Sequence, residues 1–144
     1  MIWNNVLRYN LFSALAPIKA IEYLSMDFGQ ADAYLNEELP HPPFRCPAIL
    51  VSDIREDLES SDKELDRYRL TFTLKLIVDD ARFATMGAPY AHIEAYDDSL
   101  LLSDAVTERV RAFIPEIVLL ARNEAQLKDS LRQFNMTFTL VRRV

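Results

Sequence analysis

Histidine with neighbouring carboxylates is the arrangement in this sequence that could do chemistry. His92 lies between Tyr90 and Tyr96 in the sequence, and Asp97 and Asp98 follow it closely. A histidine hydrogen-bonded to a carboxylate can act as a general acid or base, provided that the two groups meet in space. A small enzyme built on His92 would need a deep pocket lined by the two tyrosines. The alternative is that His92 is an ordinary solvated or hydrogen-bonded histidine of a loop.

Cys46 is the one cysteine of the chain, so it cannot form an internal disulfide. The nearest histidine in the sequence, His41, is flanked by Pro40, Pro42 and Pro43, which stiffen the chain between the two residues. A reactive thiol needs a nearby base held by a third group, and the sequence shows no such group. Cys46 is therefore predicted to be a small buried residue at the start of a strand. A single unpaired cysteine is typical of a protein made in a reducing cytoplasm.

The most charged segment spans residues 53–66 and contains seven acids but only two basic residues. It lacks the glycine-bearing pattern of a calcium loop, so the acids do not indicate a metal site. Two interpretations stay open: a solvated hairpin loop, or an acidic contact surface for a basic partner. The acids that we single out as candidate contacts are Glu56, Asp57, Glu59, Asp62 and Glu64.

The composition is that of a single soluble globular domain covering residues 1–144. Half of the residues are apolar and 26% are charged, close to the globular average. The net charge of −6 argues against binding to nucleic acid through the overall field. Only Gly29 and Gly87 occur, which is too few for a glycine-rich phosphate loop. We see no secretory signal and no membrane span, and we expect no cofactor, no metal and no enzymatic activity.

Two stretches of alternating apolar residues predict β-strands. They span residues 68–78 and 135–142, and both contain the motif Thr-Phe-Thr-Leu. Alternation places one face of each strand on the core, so we expect both in one antiparallel sheet. Residues 48–54 predict a strand buried on both faces, and residues 117–122 predict another. Residues 123–130 then form either the polar turn of a hairpin, which we favour, or a short helix.

Apolar residues at helical spacing predict two helices. One covers residues 5–26, where Pro17 makes a kink or begins a second short helix. The other begins at Ser99 or Ser103 and ends before Pro115, after an irregular segment over residues 79–98. Together these elements predict an α+β fold. Its antiparallel or mixed sheet would have about four strands, with the N-terminal helix and one long amphipathic helix packed on one face.

This order of elements resembles the tail terminator (tail completion) proteins of long-tailed bacteriophages and their prophage-encoded relatives. The resemblance runs from about Leu11 to Val144 and includes the proline-led strand Cys46-Pro47-Ala48-Ile49-Leu50-Val51. It implies a subunit that closes with its own copies into a ring, commonly six-fold, which caps the tail tube and joins it to the head. It also implies tail-tube and head-connector proteins as partners, assembly in the bacterial cytoplasm and a final place in the virion tail.

Segregated charge suggests how copies of such a subunit would meet. The acids cluster in residues 53–66, whereas residues 130–144 carry Arg132, Arg142 and Arg143 and no acid. Opposite charges on two different patches can fix the register of head-to-tail contacts, which close into rings. We therefore expect the acidic segment to meet the basic C-terminal strand edge of a neighbour. The alternatives are an adaptor that binds a basic partner through the same acids without a ring, and the enzyme built on His92; sequence-specific nucleic acid and membranes are not expected as partners.

Overall fold

The chain folds into a six-stranded mixed sheet with helices on both faces. The structure is a computed structural model that describes residues 2–61 and 66–143. In chain order, the elements are α1 (Ile2–Leu15), β1 (Tyr23–Met26), α2 (Gln30–Leu35), β2 (Ala48–Val51), β3 (Arg55–Ser61), β4 (Asp66–Asp79), a 3-10 helical turn (Ala81–Ala84), α3 (Pro89–Phe113), β5 (Val118–Lys128) and β6 (Leu131–Arg143).

The strand order across the sheet is β1-β2-β4-β6-β5, with β3 also paired to β4. The strands β2 and β3 share one side of β4, because β2 opposes residues 74–77 and β3 opposes residues 66–71. The pair β1–β2 is parallel, whereas the other four pairs are antiparallel. The predicted α+β fold is thus confirmed. The sheet has two strands more than expected, β1 and β3.

The two Thr-Phe-Thr-Leu segments lie side by side in β4 and β6, as predicted. Phe72 opposes Phe138, and their rings stack with centroids 5.5 Å apart. On the other face, the hydroxyls of Thr73 and Thr137 lie 3.2 Å apart. Because side chains alternate along a strand, this register puts both phenylalanines in the core and both threonines on the opposite face.

The helices α1 and α3 cover one face of the sheet and close the main core. Leu7, Leu11 and Leu15 lie on one stripe of α1 and are almost completely buried. The guanidinium of Arg109 in α3 donates to the backbone oxygen of Ala14, 3.1 Å away, and ties the two helices together. A smaller apolar cluster lies on the other face, where residues of α2 and the proline-rich loop pack over the β1–β2 end of the sheet.

The N-terminal helix is shorter than predicted. It ends at Leu15, and the second half of the predicted helix is a turn followed by β1. Proline cannot donate the helical hydrogen bond and clashes with the preceding turn, so Pro17 ends the helix instead of kinking it. Strand β1 is held by pairing with β2. Just before the pair, the Glu22 backbone N–H donates a hydrogen bond to the Pro47 oxygen, 2.8 Å away.

The long helix is longer than predicted at its N-terminal end. It begins at Pro89, a residue type that suits the first turn of a helix, so half of the expected irregular segment, residues 89–98, belongs to α3. Ser99 and Ser103 are not caps: both are buried inside the helix, and the Ser99 hydroxyl donates to the Ala95 oxygen at 2.8 Å. The helix ends at Phe113, before Pro115, as predicted.

The segment after α3 is a strand and hairpin, so the helical alternative for residues 123–130 is wrong. Strand β5 continues to Lys128, and the chain reverses over Asp129 and Ser130. The turn is therefore much shorter than the predicted one. Asp129 has a φ of 51°, a left-handed conformation that aspartate tolerates better than most residues.

The acidic segment is also mostly strand, which corrects the expected loop. Residues Arg55–Ser61 form β3 and pair antiparallel with the first half of β4, with an irregularity between Leu58 and Ser60. Cross-strand ion pairs compensate for the poor strand preference of the acids, because β4 carries arginines opposite them.

Candidate assembly surface

Two open flanks of the sheet form the candidate functional site. On one flank, β5 pairs only with β6 among the described strands. On the opposite flank, β3 pairs only with β4, and β1 only with β2, within the same described part of the chain. Unpaired edges present backbone donors and acceptors to another chain, so they are natural sites of strand-to-strand contact.

The first flank combines β5 with the C-terminal half of α3. Most β5 residues are exposed, and a groove of about 570 Å³ lies between the strand and the helix. Arg122 of β5 crosses to α3, where it forms an ion pair with Asp104 and donates to the Ser103 hydroxyl at 3.3 Å. The residues that line the groove are Asp104, Thr107, Glu108, Arg111, Leu119, Leu120, Ala121 and Arg122.

Apolar side chains are exposed on this first flank. Val118 and Leu120 of β5 are 52% and 57% exposed, and Phe113 at the end of α3 is 44% exposed. The guanidinium of Arg109 covers one side of the Phe113 ring at 5.0 Å. Large apolar residues grouped on the surface mark a contact site more often than single ones do.

The second flank combines β3 with α1. Leu58 of β3 is 55% exposed, and Tyr9 of α1 is also largely exposed. The Asn4 amide donates to a carboxylate oxygen of Glu56 at 3.5 Å, which places the start of α1 over β3. This flank therefore also presents a free strand edge with exposed apolar residues beside it.

The predicted acidic contacts have partners within the chain. Asp57 forms an ion pair with Arg55 at 3.0 Å. Glu59 forms ion pairs with Arg69 and with Arg67, the latter at 3.5 Å. Asp62 and Glu64 lie outside the described residues. Asp57 and Glu59 thus face arginines of β3 and β4, whereas Glu56 lies under α1 and accepts from Asn4. The surface carries less unpaired charge than the acidic segment alone indicates.

The predicted basic contacts are in three different environments. Arg132 is buried: its guanidinium lies 4.7 Å above the Phe83 ring and donates to the Asp129 backbone oxygen at 3.0 Å. Arg142 lies at the far end of β6 and forms an ion pair with Glu116. Arg143 is the last residue of β6, and its side chain is outside the described part.

The C-terminal strand is an edge only at its end. Residues 131–139 of β6 lie between β4 and β5, whereas residues 140–143 have no described strand on their outer side. The expected strand edge is therefore limited to these last residues. Arg142 and Arg143 belong to it, whereas Arg132 lies at the opposite end of the strand.

The histidine–carboxylate arrangement is not assembled by the fold. The ring nitrogen Nε2 of His92 lies 2.6 Å from the backbone oxygen of Thr85. Asp98 instead accepts from Arg82 at 2.6 Å, and Tyr96 packs against Phe83 with ring centroids 4.8 Å apart. Tyr90 is 80% exposed, so the two tyrosines do not line a common pocket with the histidine.

Asp80 organises the turn before α3. Its carboxylate accepts from the Arg82 backbone N–H at 3.0 Å and from the Arg82 guanidinium, and these bonds hold the pKa of Asp80 below its ordinary value. The same guanidinium reaches Asp98 of α3. This network anchors the 3-10 helical turn to α3, which is a structural role.

Cys46 packs with the smaller apolar cluster, as a residue just before a strand should. Burial, with a smaller effect from the charge of Asp79, raises the pKa of its thiol to about 11. The bond between Cys46 and Pro47 is a cis peptide. A thiol with a raised pKa is a poor nucleophile at neutral pH, so Cys46 is a packing residue.

Within residues 2–61 and 66–143, no three histidine, cysteine, aspartate or glutamate side chains come together in a way that could hold a metal ion. None of the helices described above is both long and apolar enough to cross a membrane.

Comparison with known proteins finds similarity in the fold and none in the sequence. No family model and no curated protein matches the sequence. The fold is similar to a chain in the structure of the virion of a native gene transfer agent particle, with a TM-score of 0.42 and 12% sequence identity. The similarity covers 94% of this chain and 90% of that one. The function is therefore argued from the surfaces of this chain itself.

The exposed apolar residues of the flanks were missed in the sequence. Leu58 is a lone leucine among acids, and Val118 and Leu120 belong to an apolar run that resembles a buried strand. The sequence of β5 did contain a signal of exposure. Its apolar residues are followed by a polar stretch, and an edge strand tolerates polar residues on its exposed side. No comparable signal marked Leu58.

Proposed function

We propose that this chain is a structural subunit of a phage or prophage tail, which forms a ring, caps the tail tube and joins it to the head. The observation that carries the proposal is the presence of two open flanks on opposite sides of one sheet. The flanks differ in strands and side chains, so a contact between them is head-to-tail. Such contacts repeat from copy to copy and close into a ring when the rotation allows it.

The fold supports the same role. The α+β architecture, with α1 and α3 on one face of the sheet, is the one that the resemblance to tail terminators implies. Since α1 and α3 cover a face of the sheet, they leave the outer strand edges of β3 and β5 open to neighbours in the described part of the chain. A subunit of a ring needs this combination of a closed core and two free sides.

Charge contributes to the proposed contact between copies. We place the acidic segment, with Asp57 and Glu59, against Arg142 and Arg143 at the free end of a neighbour's β6; Glu56 is held under α1 by Asn4 and takes no part. Because the described acids already have partners within the chain, their charges select orientation and speed association more than they add affinity. Buried Arg132 takes no part in this contact.

The ring would have a tail-tube protein on one side and a head-connector protein on the other. In this role the chain assembles in the bacterial cytoplasm and ends in the virion tail.

Deleting the gene for this chain tests the function. In the phage or prophage that encodes it, the deletion should yield heads and tails that do not join, as seen by electron microscopy. A plasmid copy of the wild-type gene should restore joined particles, and a copy with a stop codon early in the gene is the matched control. Normal joined particles without the chain would overturn the proposal.

A further inference from the structure

We infer that neighbouring copies join through an antiparallel strand pair between the free edge of β5 and the free edge of β3 in the next copy. The inference rests on the ring assembly proposed above and specifies the surface through which it forms. The occupant of the β5 flank is thus a second copy of this chain.

The strand directions fit such a pair. Strand β5 is antiparallel to β6, which is antiparallel to β4, so β5 runs in the same direction as β4. Strand β3 runs opposite to β4. A rotation about an axis from which the strands are tilted still preserves the up or down sense of each strand, so β3 of the next copy arrives antiparallel to β5. The seven residues of β3 also fit within the eleven of β5.

The positions of the strands along the sheet predict a stagger between copies. Strand β3 lies beside residues 66–71 of β4. Strand β5, traced across β6, lies level with residues 71–79 of β4. To pair the two edges, each copy must shift along the strands by about one strand length relative to its neighbour. Tilted strands in a closed sheet have a stagger of this kind.

The side chains on the helix-covered face are complementary across this pair. Glu56 and Leu58 lie on that face of β3, because they oppose Leu70 and Tyr68 of β4. In the proposed pair Leu58 would point toward the groove between α3 and β5, which is lined on the strand side by Leu119, Leu120 and Ala121. The Glu56 carboxylate is held under α1 by Asn4, so the exposed leucine is the side chain that would enter the groove, against these apolar strand residues.

The pair would also cover exposed apolar surface on both sides. Leu58 on one copy, and Leu120 in the groove of the other, are each more than half exposed in the single chain. Burying them together removes apolar area from water, which is the main favourable contribution in most associations between proteins.

The antiparallel direction accounts for the charge contact as well. It brings the Ser61 end of β3 toward Val118, where β5 begins. Val118 opposes Thr139, next to the free end of β6 that carries Arg142. The acidic strand and the C-terminal arginines of adjacent copies therefore come together at this end of the pair.

Two single substitutions and their mixture test this interface. Leu58→Lys alters the β3 flank, and Leu120→Lys alters the β5 flank. Met86→Lys, at a residue that is 94% exposed before α3, is the matched control. Each chain would be checked for folding by circular dichroism and for mass by light scattering on size-exclusion fractions.

The inference predicts a ring-sized oligomer for the wild type and for Met86→Lys, and folded monomers for each flank variant alone. A mixture of the two flank variants should give dimers and nothing larger, because β5 of Leu58→Lys still fits β3 of Leu120→Lys. If both flank variants still form rings of the wild-type size, this interface is overturned and the ring proposal is unaffected. Loss of assembly in Leu120→Lys alone would indicate a β5–β5 contact and also overturn it.

The remaining outcomes separate the interface from the function. Open filaments that dissociate in both flank variants would support the strand pair and contradict the closed ring. A wild-type chain that stays monomeric at every concentration tested would overturn the strand pair and weaken the ring proposal at once.

Discussion

At the scale of single residues, the sequence shows which groups are charged but not which groups they meet. The acids of β3 stand out as a cluster in the sequence, yet Glu59 is matched by Arg67 and Arg69 on the next strand. Likewise, Arg142 of β6 forms an ion pair with Glu116, which precedes β5 in the chain. Such pairs depend on register, which no count of charges contains. The packing of Cys46 with apolar residues, in contrast, could be predicted, because it stands just before an apolar strand in the sequence.

Cys46 gives a prediction at this scale. Burial raises the pKa of its thiol from 9.0 to about 11. At pH 8 the folded chain should therefore react with iodoacetamide about a hundredfold more slowly than the chain unfolded in urea, since each pKa unit changes the thiolate fraction tenfold. Mass spectrometry of timed samples measures both rates, and Cys46→Ser is the unlabelled control.

The same pKa shift sets the sign of a pH effect on stability. The fold disfavours the thiolate, so Cys46 lowers stability as the pH rises above 9, where the unfolded chain begins to ionise. Cys46→Ser should lack this loss between pH 9 and 11. Equal labelling rates in the folded and unfolded chain would contradict the burial of this thiol.

At the scale of elements, strands with a strong apolar alternation were predicted correctly, whereas elements with a weak or ambiguous periodicity were missed or misassigned. Strands β4 and β6 alternate strictly, and their pairing follows the repeated motif. The short strand β1 was assigned to a helix because Leu24 fits a helical spacing as well as a strand. The strand β3 was assigned to a loop because its acids gave no apolar alternation; its conformation depends on the arginines of β4. The start of α3 was missed because its first three turns carry few buried residues.

The turn between β5 and β6 gives a prediction at this scale. Asp129 has a positive φ of 51°, where a β-branched residue is strained. Asp129→Val should lower the free energy of unfolding by about 1–2 kcal/mol, the usual cost of a left-handed conformation. Urea denaturation followed by circular dichroism measures this difference.

Asp129→Asn is the matched control, since asparagine also tolerates this conformation. It should leave the free energy of unfolding within about 0.5 kcal/mol of the wild type. A valine variant as stable as the asparagine variant would show that the positive φ does not constrain the hairpin.

At the scale of the whole molecule, the proposed assembly depends on the open flanks of the sheet. The core is closed by α1 and α3, while the strand edges on both sides carry exposed apolar residues. The sequence could predict the core and the fold class, because both depend on apolar patterning. It could not predict which strands form the flanks. A strand is an edge strand only when no other strand pairs with its outer side, and this depends on the topology of the whole sheet.

The C-terminal arginines give a prediction at this scale. Arg142→Glu would place two carboxylates together within the chain, so it is combined with Glu116→Arg, which keeps the local ion pair in reverse. We expect Arg142→Glu/Arg143→Glu/Glu116→Arg to fold like the wild type but to assemble more weakly. The midpoint concentration of assembly, measured by light scattering, should rise several-fold, and more so at low salt because salt screens exposed charges.

Glu116→Arg/Arg142→Glu, with Arg143 intact, is the intermediate control. Its assembly should lie between that of the wild type and that of the triple variant. Unchanged assembly of the folded triple variant would contradict the proposed contact between the acidic segment and the C-terminal arginines.

The most direct test of the account is the mass and shape of the purified wild-type chain. Light scattering on size-exclusion fractions, over a range of protein and salt concentrations, gives the number of copies, and negative-stain electron microscopy of the same fractions gives their arrangement. The account predicts a closed oligomer with a central hole, since head-to-tail contacts form a ring when the rotation closes, and about six copies, the number that the resemblance to tail terminators implies. A two-fold dimer that does not grow with concentration would contradict it, because such a dimer uses one flank and leaves the other open.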